Sequence, residues 1–234
     1  MVIPAYNEAG RLGESLQKIT AFLATQDFTT EVLVVNNNSS DRTQAIAEEY
    51  AAEFPYLRVL FEGRQGKGAA VRSGMLAARG EYRFICDADL SMPIDDIVKF
   101  LPPKLTDFDV AIGSREATGA VRYDEPFYRH LMGRVFNTIV RLFAVPGFQD
   151  TQAGFKMFRG EVAEEIFPLQ TMDGWSFDVE VLYAAMRRGY RIVEVPIHWY
   201  YMESSRISPL KDSYNMFLEV FKIRLKGARG SYDR

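Results

Sequence analysis

Short apolar runs rich in β-branched residues alternate with stretches of helical periodicity along most of the chain. The runs that predict strands are residues 2–3, 31–35, 57–61, 82–86, 109–112 and 191–195. The helical stretches are residues 10–24, 41–53 and 67–78. This alternation predicts an α/β fold with a Rossmann-like, mostly parallel sheet flanked by helices. Ligands of such sheets bind beyond the carboxyl ends of the strands, so the loops at those ends are the first candidates for chemistry.

The second half of the chain is less regular. Residues 114–130 are polar and contain glycine, which predicts a mobile loop. Residues 129–143 are strongly apolar but include Arg129, Arg134 and Arg141. A buried helix with snorkelling arginines and a helix lying at a lipid interface both fit this pattern, and the pattern alone does not choose between them.

The last predicted helix is amphipathic and ends the chain. Its apolar residues recur at the spacing of one helix face, at Leu210, Tyr214, Phe217, Leu218, Phe221 and Leu225. Packing of this face on the sheet is the simpler expectation. Contact with a membrane is expected only if the substrate is a lipid.

Composition bounds the class of protein. The 234 residues are 47% hydrophobic and 25% charged, which is typical of one globular domain and not of a disordered or coiled-coil chain. A single cysteine, Cys86, excludes a disulfide framework and a cysteine-built zinc site. Two histidines argue against a histidine-rich metal centre, and a net charge of −3 does not indicate a nucleic-acid partner.

The charge is unevenly distributed along the chain. Residues 204–234 contain seven basic and three acidic residues, a net +4, so the rest of the chain carries −7. On charge alone a solvated helix face is the preferred interpretation, and an anionic partner such as a membrane surface is the alternative. No run reaches the roughly 18 apolar residues of a membrane span, and the amino-terminal residues lack the basic start of a signal peptide.

Two carboxylates, Asp87 and Asp89, directly follow the strand predicted at residues 82–86. Hard divalent cations such as Mg²⁺ and Mn²⁺ prefer oxygen ligands and keep positions open for phosphate. Aspartate is also common in turns, so the pair alone is modest evidence. Its position at the carboxyl end of an apolar strand strengthens the interpretation as a metal site.

A glycine-bearing loop opens the third predicted helix, with Gly66 and Gly68 on either side of Lys67. The free N–H groups of a helix N-terminus bind phosphate, and Lys67 adds a positive charge. Val71 stands where the dinucleotide-binding fingerprint has its third glycine, and Gly68 stands where a Walker A loop has Ser or Thr. A nicotinamide dehydrogenase and a P-loop NTPase are therefore disfavoured. A tight turn without a ligand is the structural alternative.

Residues 36–41, Asn-Asn-Asn-Ser-Ser-Asp, directly follow the second predicted strand. Ser40 or Asp41 is expected to cap the next helix, because these residue types accept hydrogen bonds from free helix N–H groups. A functional interpretation places the amide groups against a nucleobase or a ribose.

Seven motifs occur in one order along the chain, and the basic tail follows them. They are residues 2–8 (Val-Ile-Pro-Ala-Tyr-Asn-Glu), 36–41, 66–68 (Gly-Lys-Gly), 87–89 (Asp-Ala-Asp), 113–115 (Gly-Ser-Arg), 150–156 (Asp-Thr-Gln-Ala-Gly-Phe-Lys) and 175–180 (Trp-Ser-Phe-Asp-Val-Glu). In this order they resemble the family 2 glycosyltransferases of the GT-A fold. With the tail from Ser205 and Arg206 to Arg224, they are similar to dolichyl-phosphate β-glucosyltransferases and related polyprenyl-phosphate glycosyltransferases.

The resemblance implies an inverting transfer of a hexose, glucose favoured, from a nucleotide-diphosphate sugar such as UDP-glucose to a polyprenyl phosphate, with Mg²⁺ or Mn²⁺ as cofactor. It implies Asp87, Asp89 and Ser91 for the metal. For the nucleotide sugar it implies Pro4, Ala5, Tyr6, Glu8, Asn37, Gly66, Lys67, Asp87 and Ala88. Arg115 and Arg129 would clamp the acceptor phosphate, since guanidinium groups match phosphate oxygens. The candidate catalytic residues are Asp89, Arg115 and Asp150.

The remaining motif residues have less defined roles. Asp150 could orient the acceptor, contact the sugar or act as a base. Asp178 and Glu180 are expected to orient sugar hydroxyls or to support a loop. His198, Trp199 and Cys86 are expected to be packing residues.

The resemblance also implies a division of the single domain. Residues 1–115 would bind the nucleotide sugar, residues 116–200 would form the acceptor half, and residues 201–234 would be a basic amphipathic tail. Relatives usually have an acidic residue, which contacts the base of the sugar nucleotide, where Asn36 and Asn37 stand here. The choice between uracil and guanine as the base of the donor is therefore left open. Many relatives append transmembrane helices, so a chain without one is expected to attach peripherally at the cytoplasmic face of a membrane.

Two alternatives remain open at the level of sequence. One is a family 2 enzyme that acts on a saccharide or protein acceptor, which the tail and the arginine-flanked apolar segment disfavour, and a GDP-mannose donor stays possible as well. The other is a non-catalytic protein that binds nucleotide sugars, which the intact pair of Asp87 and Asp89 disfavours.

Overall fold

The structure, a computed structural model, describes residues 1–202 and 209–233, with the backbone alone at 128, 129, 132, 135, 136, 139 and 209–214. The strands are β1 (Val2–Ala5), β2 (Val32–Asn36), β3 (Leu57–Phe61), β4 (Tyr82–Ile85), β5 (Val110–Ser114), β6 (Val121–Tyr123), β7 (Lys156–Arg159), β8 (Ile192–Pro196) and β9 (His198–Tyr200). The α-helices are α1 (Leu12–Leu23), α2 (Thr43–Glu53), α3 (Lys67–Ala77), α4 (Phe127–Phe143), α5 (Gly160–Ile166), α6 (Phe177–Arg187) and α7 (Pro209–Ala228). Short 3₁₀ helices lie at Ile94–Lys99 and Phe167–Leu169.

Seven strands form the central sheet in the order β3-β2-β1-β4-β7-β5-β8. All neighbouring strands are parallel except β7, which runs antiparallel to both β4 and β5. The chain builds β2 and β3 on one side of β1 and then continues with β4 on the other side. This reversal leaves a crevice at the carboxyl ends of β1 and β4, which is where ligands bind in open α/β sheets.

Strand β2 shows how the sheet separates two hydrophobic layers. Leu33 and Val35 belong to a buried cluster that includes residues of α3, α5, α6 and α7. Val32 and Val34 belong to a second cluster with α1 and the 3₁₀ helix Ile94–Lys99. Successive side chains of a strand point to opposite faces, so a strand covered on both faces is continuously apolar. All five residues of β2 are buried accordingly.

The predicted α/β architecture and mostly parallel sheet are confirmed. Strand β7 was not predicted, because Lys156–Arg159 is a four-residue segment with a charged residue at each end. The prediction of a loop over residues 114–130 is wrong in part. Strand β6 lies within it and pairs with β9, and α4 begins at its end. Short, half-exposed strands have no apolar run by which sequence could identify them.

Helix α7 buries a different face from the one predicted. Met216, Val220 and Ile223 are buried in the hydrophobic cluster, where α7 packs on α4 and α6. Phe221 and Leu225, which belong to the predicted packing stripe, are 43% and 52% exposed. The expectation that this stripe packs on the sheet is therefore wrong for these residues. Leu210 and Tyr214 of the same stripe have side chains outside the described residues.

The described ranges, which omit residues 203–208, were searched for membrane-spanning helices. None of their helices combines the length and the hydropathy that crossing a bilayer requires.

The close contact between α3 and the sheet gives a test of the packing. A Cβ atom on Gly74 would lie 2.3 Å from Val2 Cγ1 and 2.9 Å from Val35 Cγ2. We expect Gly74→Ala to lower the free energy of unfolding by about 1–3 kcal/mol, because neither β-branched side chain can move away from the core. Urea denaturation measures this change.

The matched control is Gly13→Ala in α1, where the nearest atom would be Ile46 Cγ2 at an ordinary 3.8 Å. That substitution should be neutral or should stabilise the protein by about 0.5 kcal/mol, because alanine loses less backbone entropy in a helix. Equal stability of the two variants would contradict the assigned helix–sheet contact.

Candidate active site

A cavity of about 700 Å³ lies at the carboxyl ends of β1, β4 and β5. The cavity is lined by the following residues that the sequence predicts for the site: Pro4, Ala5, Tyr6, Glu8, Asn37, Gly66, Lys67, Asp87, Ala88, Asp89, Ser91, Arg115 and Asp150. The tertiary structure thus brings these candidates to one cavity. The main chain of Arg129 lies in α4, but its side chain is not in the described part of the structure.

The paired carboxylates follow β4, and each faces a cation. Lys67 Nζ lies 2.6 Å from Asp87 Oδ1, and Arg11 Nη1 lies 3.8 Å from Asp89 Oδ2. The backbone N–H of Ser91 donates to Asp89 Oδ1 at 3.0 Å, so Ser91 supports this carboxylate through its main chain. Burial and the neighbouring charge of Asp87 raise the pKa of Asp89. The two carboxylates therefore repel each other and favour a shared positive charge.

These two side chains are the residues that could hold a divalent cation. Among residues 1–202 and 209–233, no group of three or more His, Cys, Asp or Glu side chains is placed to hold a metal ion. A hard cation bound by Asp87 and Asp89 would keep its other positions for phosphate oxygens and water, which is usual for Mg²⁺ sites that act on phosphates.

Lys67 stands at the first position of α3 and connects several charges. Its burial opposes the ammonium charge, but the carboxylates of Asp87 and Asp178 outweigh this and raise the pKa of Lys67. The ring of Trp175 lies 5.6 Å from Lys67 Nζ. Because a cation at a helix N-terminus attracts phosphate, this position suits the diphosphate of a nucleotide.

Asn37 shapes the loop that leads into α3. Its Nδ2 donates to the carbonyls of Glu62 and Arg64 at 3.1 and 2.6 Å, and its Oδ1 accepts from Gly66 N at 2.8 Å. A carboxylate could not donate the first two bonds. Gly66 has φ of 138°, and a Cβ atom there would lie 2.0 Å from the carbonyl oxygen of Asp173, so only glycine fits.

Arg11 and Gly154 complete the carboxylate end, and sequence analysis missed both. Arg11 bonds Glu8 in a two-point ion pair while it faces Asp89. A Cβ atom on Gly154 would lie 1.9 Å from Asp87 Oδ2. The glycine of the 150–156 motif therefore leaves the space that Asp87 occupies, a constraint that only the fold shows.

Glu180 holds the loop that covers α3. The carboxylate is fully buried and accepts from the backbone N–H groups of Thr171 and Met172 and from Tyr232 O–H, each at 2.7 Å. These contacts fit the predicted loop-supporting role. Asp178 instead lines the cavity and lies 2.6 Å from Lys156 Nζ, a buried pair.

Arg115 and Asp150 form a two-point ion pair at the other end of the cavity. Arg115 Nε and Nη2 lie 2.6 and 3.0 Å from the Asp150 carboxylate oxygens, and the backbone N–H of Arg115 donates to the same carboxylate at 3.0 Å. Although burial opposes ionisation, Arg115 holds the pKa of Asp150 far below its usual range. The two-point ion pair and the bond from the backbone N–H suit Asp150 to orienting Arg115.

Trp199 belongs to this end of the cavity, although sequence analysis assigned it to packing. Its ring centroid lies 5.3 Å from the guanidinium carbon of Arg115 and 5.7 Å from that of Arg122. Its neighbour His198 has a structural role, since Asp96 accepts its backbone N–H at 2.7 Å. Cys86 is fully buried, as expected.

The sheet order, with the carboxylate pair at its crevice, is that of the GT-A fold. Glucosyl-3-phosphoglycerate synthase from Mycobacterium tuberculosis, solved with Mn²⁺, UDP-glucose and phosphoglyceric acid, superposes with a TM-score of 0.66. That alignment covers 96% of this chain and 77% of the other at 19% identity, a likeness of fold. The predicted fold class is confirmed.

The chain belongs to glycosyl transferase family 2, whose family model matches residues 1–167. The dolichyl-phosphate beta-glucosyltransferase of Drosophila melanogaster is 35% identical over 248 residues, which cover 99% of this chain and 76% of that protein. The enzyme of the same description from Saccharomyces cerevisiae is 33% identical and covers 99% of this chain and 75% of its own. The family expected from the motifs is therefore confirmed, and the protein is a glycosyltransferase.

The pair of Arg115 and Asp150 gives a pH-dependent prediction. Asp150→Asn leaves the half-buried guanidinium of Arg115 without its carboxylate and should lower the free energy of unfolding at pH 7 by about 2 kcal/mol. The folded-state pKa of Asp150 is depressed, so its stabilising effect is present above the unfolded pKa near 4 and is lost as the pH falls further. The stability gap between the two proteins should therefore narrow below about pH 4.

Urea midpoints between pH 7 and pH 3 measure this gap. The control Asp27→Asn, an exposed residue before β2, should follow the wild-type curve at every pH. A gap that stays constant down to pH 3 would show that the ion pair does not stabilise the folded state.

Proposed function

We propose that this protein transfers glucose from UDP-glucose to a polyprenyl phosphate such as dolichyl phosphate, with a divalent cation and with inversion at the anomeric carbon. One observation carries the proposal: a single cavity is lined both by the Asp87–Asp89 pair and by Arg115, Arg122 and Arg134. The names of the relatives from Drosophila melanogaster and Saccharomyces cerevisiae support glucose and the lipid phosphate.

The donor would lie at the carboxylate end of the cavity, built mainly by residues 1–115. Lys67 at the start of α3 would bind the diphosphate, and residues 4–6 and Asn37 would line the nucleoside. Trp175 and Asp178, from the second half, also line this part, so the donor site would draw on both halves of the domain. The structural neighbour with UDP-glucose supports uridine as the base.

A divalent cation fits the donor set at Asp87 and Asp89, since two half-buried carboxylates that repel each other gain from a shared positive charge. When bound there, Mg²⁺ or Mn²⁺ would stabilise the negative charge of the departing nucleoside diphosphate. Ser91 would support Asp89 through its backbone N–H. The Mn²⁺ of the structural neighbour supports a divalent ion without deciding between the two metals.

The acceptor phosphate would lie at the arginine end, in the half formed by residues 116–200 together with Arg115. A phosphate monoester is already ionised near neutral pH, so it needs orientation and charge matching more than a general base. Arg115 would supply this, held in place by Asp150 and by the ring of Trp199. Arg129 stays a proposed second clamp.

A surface beside the cavity suits a membrane. Helices α4 and α7 expose Leu142, Phe143, Phe221 and Leu225, which are 42–75% exposed and which we call the apolar patch. The rings of Phe143 and Phe221 are 5.4 Å apart, so the patch spans both helices. Exposed Lys222 and Arg224 adjoin it on α7.

The same two helices also line the cavity, α4 through Asn137, Thr138 and Arg141 and α7 through Met216. A lipid tail could therefore extend from the cavity to the apolar patch and stay in contact with α4 and α7 along its length. Apolar side chains flanked by basic residues are typical of peripheral attachment to an anionic leaflet. We propose attachment at the cytoplasmic face, where the single cysteine, a buried free thiol, would stay reduced.

A transfer assay with purified protein tests the function. Radiolabelled UDP-glucose or GDP-mannose is offered with a short polyprenyl phosphate, with a free saccharide, or with neither acceptor. We expect transfer from UDP-glucose to the lipid phosphate, dependent on Mg²⁺ or Mn²⁺. Transfer only to the saccharide would support the alternative acceptor, and transfer only from GDP-mannose would overturn the choice of donor.

Asp89→Asn is expected to reduce this turnover by at least about a hundredfold, because one of two anionic metal ligands is lost. The thermal midpoint should change little. The control Asp95→Asn, an exposed residue of the following 3₁₀ helix, should keep wild-type turnover. Calorimetric titration with Mn²⁺ and UDP gives an independent readout, and unchanged Mn²⁺ binding by Asp89→Asn would contradict the metal assignment.

Co-sedimentation with vesicles that contain anionic lipid tests the apolar patch. Phe221→Glu and Leu142→Glu should each weaken association about tenfold, because an exposed apolar side chain no longer enters the lipid. Phe28→Glu, which changes an exposed phenylalanine at the opposite end of the sheet, should bind as the wild type does. Equal binding by all variants would remove the patch from the proposal.

A further inference from the structure

Glu116 lies among three nitrogen donors on the wall of the cavity. Its Oε1 lies 2.5 Å from Arg122 Nη2 and 3.1 Å from His130 Nε2, and its Oε2 lies 3.3 Å from Arg134 Nη1. Arg122 comes from β6, and the other two come from the first turns of α4. All four side chains line the cavity that we assign to the substrates.

The three donors form an anion-binding site, and the anion that occupies it is the protein's own Glu116 carboxylate. Guanidinium groups bind carboxylate and phosphate oxygens with the same geometry. Three donors from two different elements converge on one carboxylate, and the side chain of Glu116 remains 19% exposed. The cluster lies beside the pair of Arg115 and Asp150, because the Arg122 guanidinium also donates to the carbonyl of Arg115 at 3.2 Å.

The buried carboxylate of this wall, Asp150, is held differently. Asp150 is buried and accepts backbone N–H groups from Arg115 and Gln152, so it is fixed by the main chain as well as by its ion pair. Glu116 follows β5 in a bend where Ser114 Oγ accepts its backbone N–H at 3.3 Å. Within the part of the chain that the structure describes, its carboxylate has only side-chain partners, so rotation about its side-chain bonds releases all three donors.

We propose that Glu116 occupies the binding site of the acceptor's phosphate in the absence of the acceptor, and that the phosphate displaces its carboxylate from Arg122, His130 and Arg134. This inference rests on the proposed function and adds a second set of phosphate ligands to Arg115. A phosphate monoester near neutral pH carries about −1.5 to −2 charges and three acceptor oxygens. It therefore competes well against a single carboxylate for three donors.

The exchange makes Glu116 a determinant of specificity. A saccharide hydroxyl is uncharged, so if it displaced Glu116 it would leave Arg134 without that carboxylate and Arg122 with Glu125 in place of two carboxylates. An acceptor that carries a phosphate satisfies both guanidinium groups. Glu116 would thus continue to occupy these donors until an anionic acceptor enters the cavity.

The test compares Glu116→Gln with the wild type, using a ten-carbon isoprenyl phosphate as acceptor and UDP-glucose as donor. Glutamine keeps the size of the side chain but removes the competing charge. We expect the KM for the isoprenyl phosphate to fall about five- to tenfold, which corresponds to one charge interaction near a protein surface. The KM for UDP-glucose should stay within about twofold. Calorimetric binding of the isoprenyl phosphate should tighten by the same factor as the KM.

Two further variants separate the effect from a general change of charge. Glu125 pairs with Arg122 at 2.5 Å, so Glu125→Gln frees one of the three donors and should lower the acceptor KM less. Glu116→Asp keeps the charge but shortens the reach to the donors, and its acceptor KM should lie between those of wild type and Glu116→Gln. It also provides a test if the glutamine variant folds poorly.

A higher acceptor KM in Glu116→Gln and Glu116→Asp, with or without a lower thermal midpoint, would overturn the inference and show that Glu116 fastens β6 to α4. An unchanged KM in both would overturn it as well. If the wild type neither binds the isoprenyl phosphate nor transfers glucose to it, the proposed function itself fails. Wild-type transfer without any gain in the variants overturns this inference alone.

Discussion

The pairing of opposite charges within one partly buried cavity is the constraint on which the active site depends. A buried charge is tolerated only beside a partner, because its hydration is lost. Asp87 has Lys67, Asp178 has Lys156, Asp150 has Arg115, and Glu116 has Arg122. The cavity therefore carries many charges but presents them already matched. The ligands that we propose for it, a divalent cation and two kinds of phosphate, are able to exchange with such pairs.

Two glycines and a buried glutamate that holds a loop keep these charged side chains in position. Gly154 leaves the space for Asp87, and Gly66 allows the backbone of Asp173 to approach α3. Glu180 fixes the covering loop through its backbone N–H groups and is itself bonded by Tyr232, which follows α7. The helix that carries part of the apolar patch is thus fastened to the loop over the donor end. The apolar patch that we propose for membrane contact and the proposed donor site are therefore physically connected.

Much of the fold and half of the site could be predicted from sequence because the signals are local. The apolar run of β2 and the start of α3 at Lys67 depend on neighbouring residues, and Asp87 and Asp89 follow their strand directly. Strand β6 and the exposed face of α7 could not be predicted in this way. The buried face of each of these elements depends on which other element packs against it. A periodic pattern of apolar residues does not identify that element.

By itself, the sequence determined the alternation of strands and helices, the order of the motifs and the family, since each depends on residue types along a continuous segment. Only the tertiary structure decided that Arg11, Gly154 and Trp199 belong to the site and that Glu116 takes up the donors on its wall. These contacts join residues from separate elements. Their energies depend on distance and burial in three dimensions, which spacing along the chain does not encode.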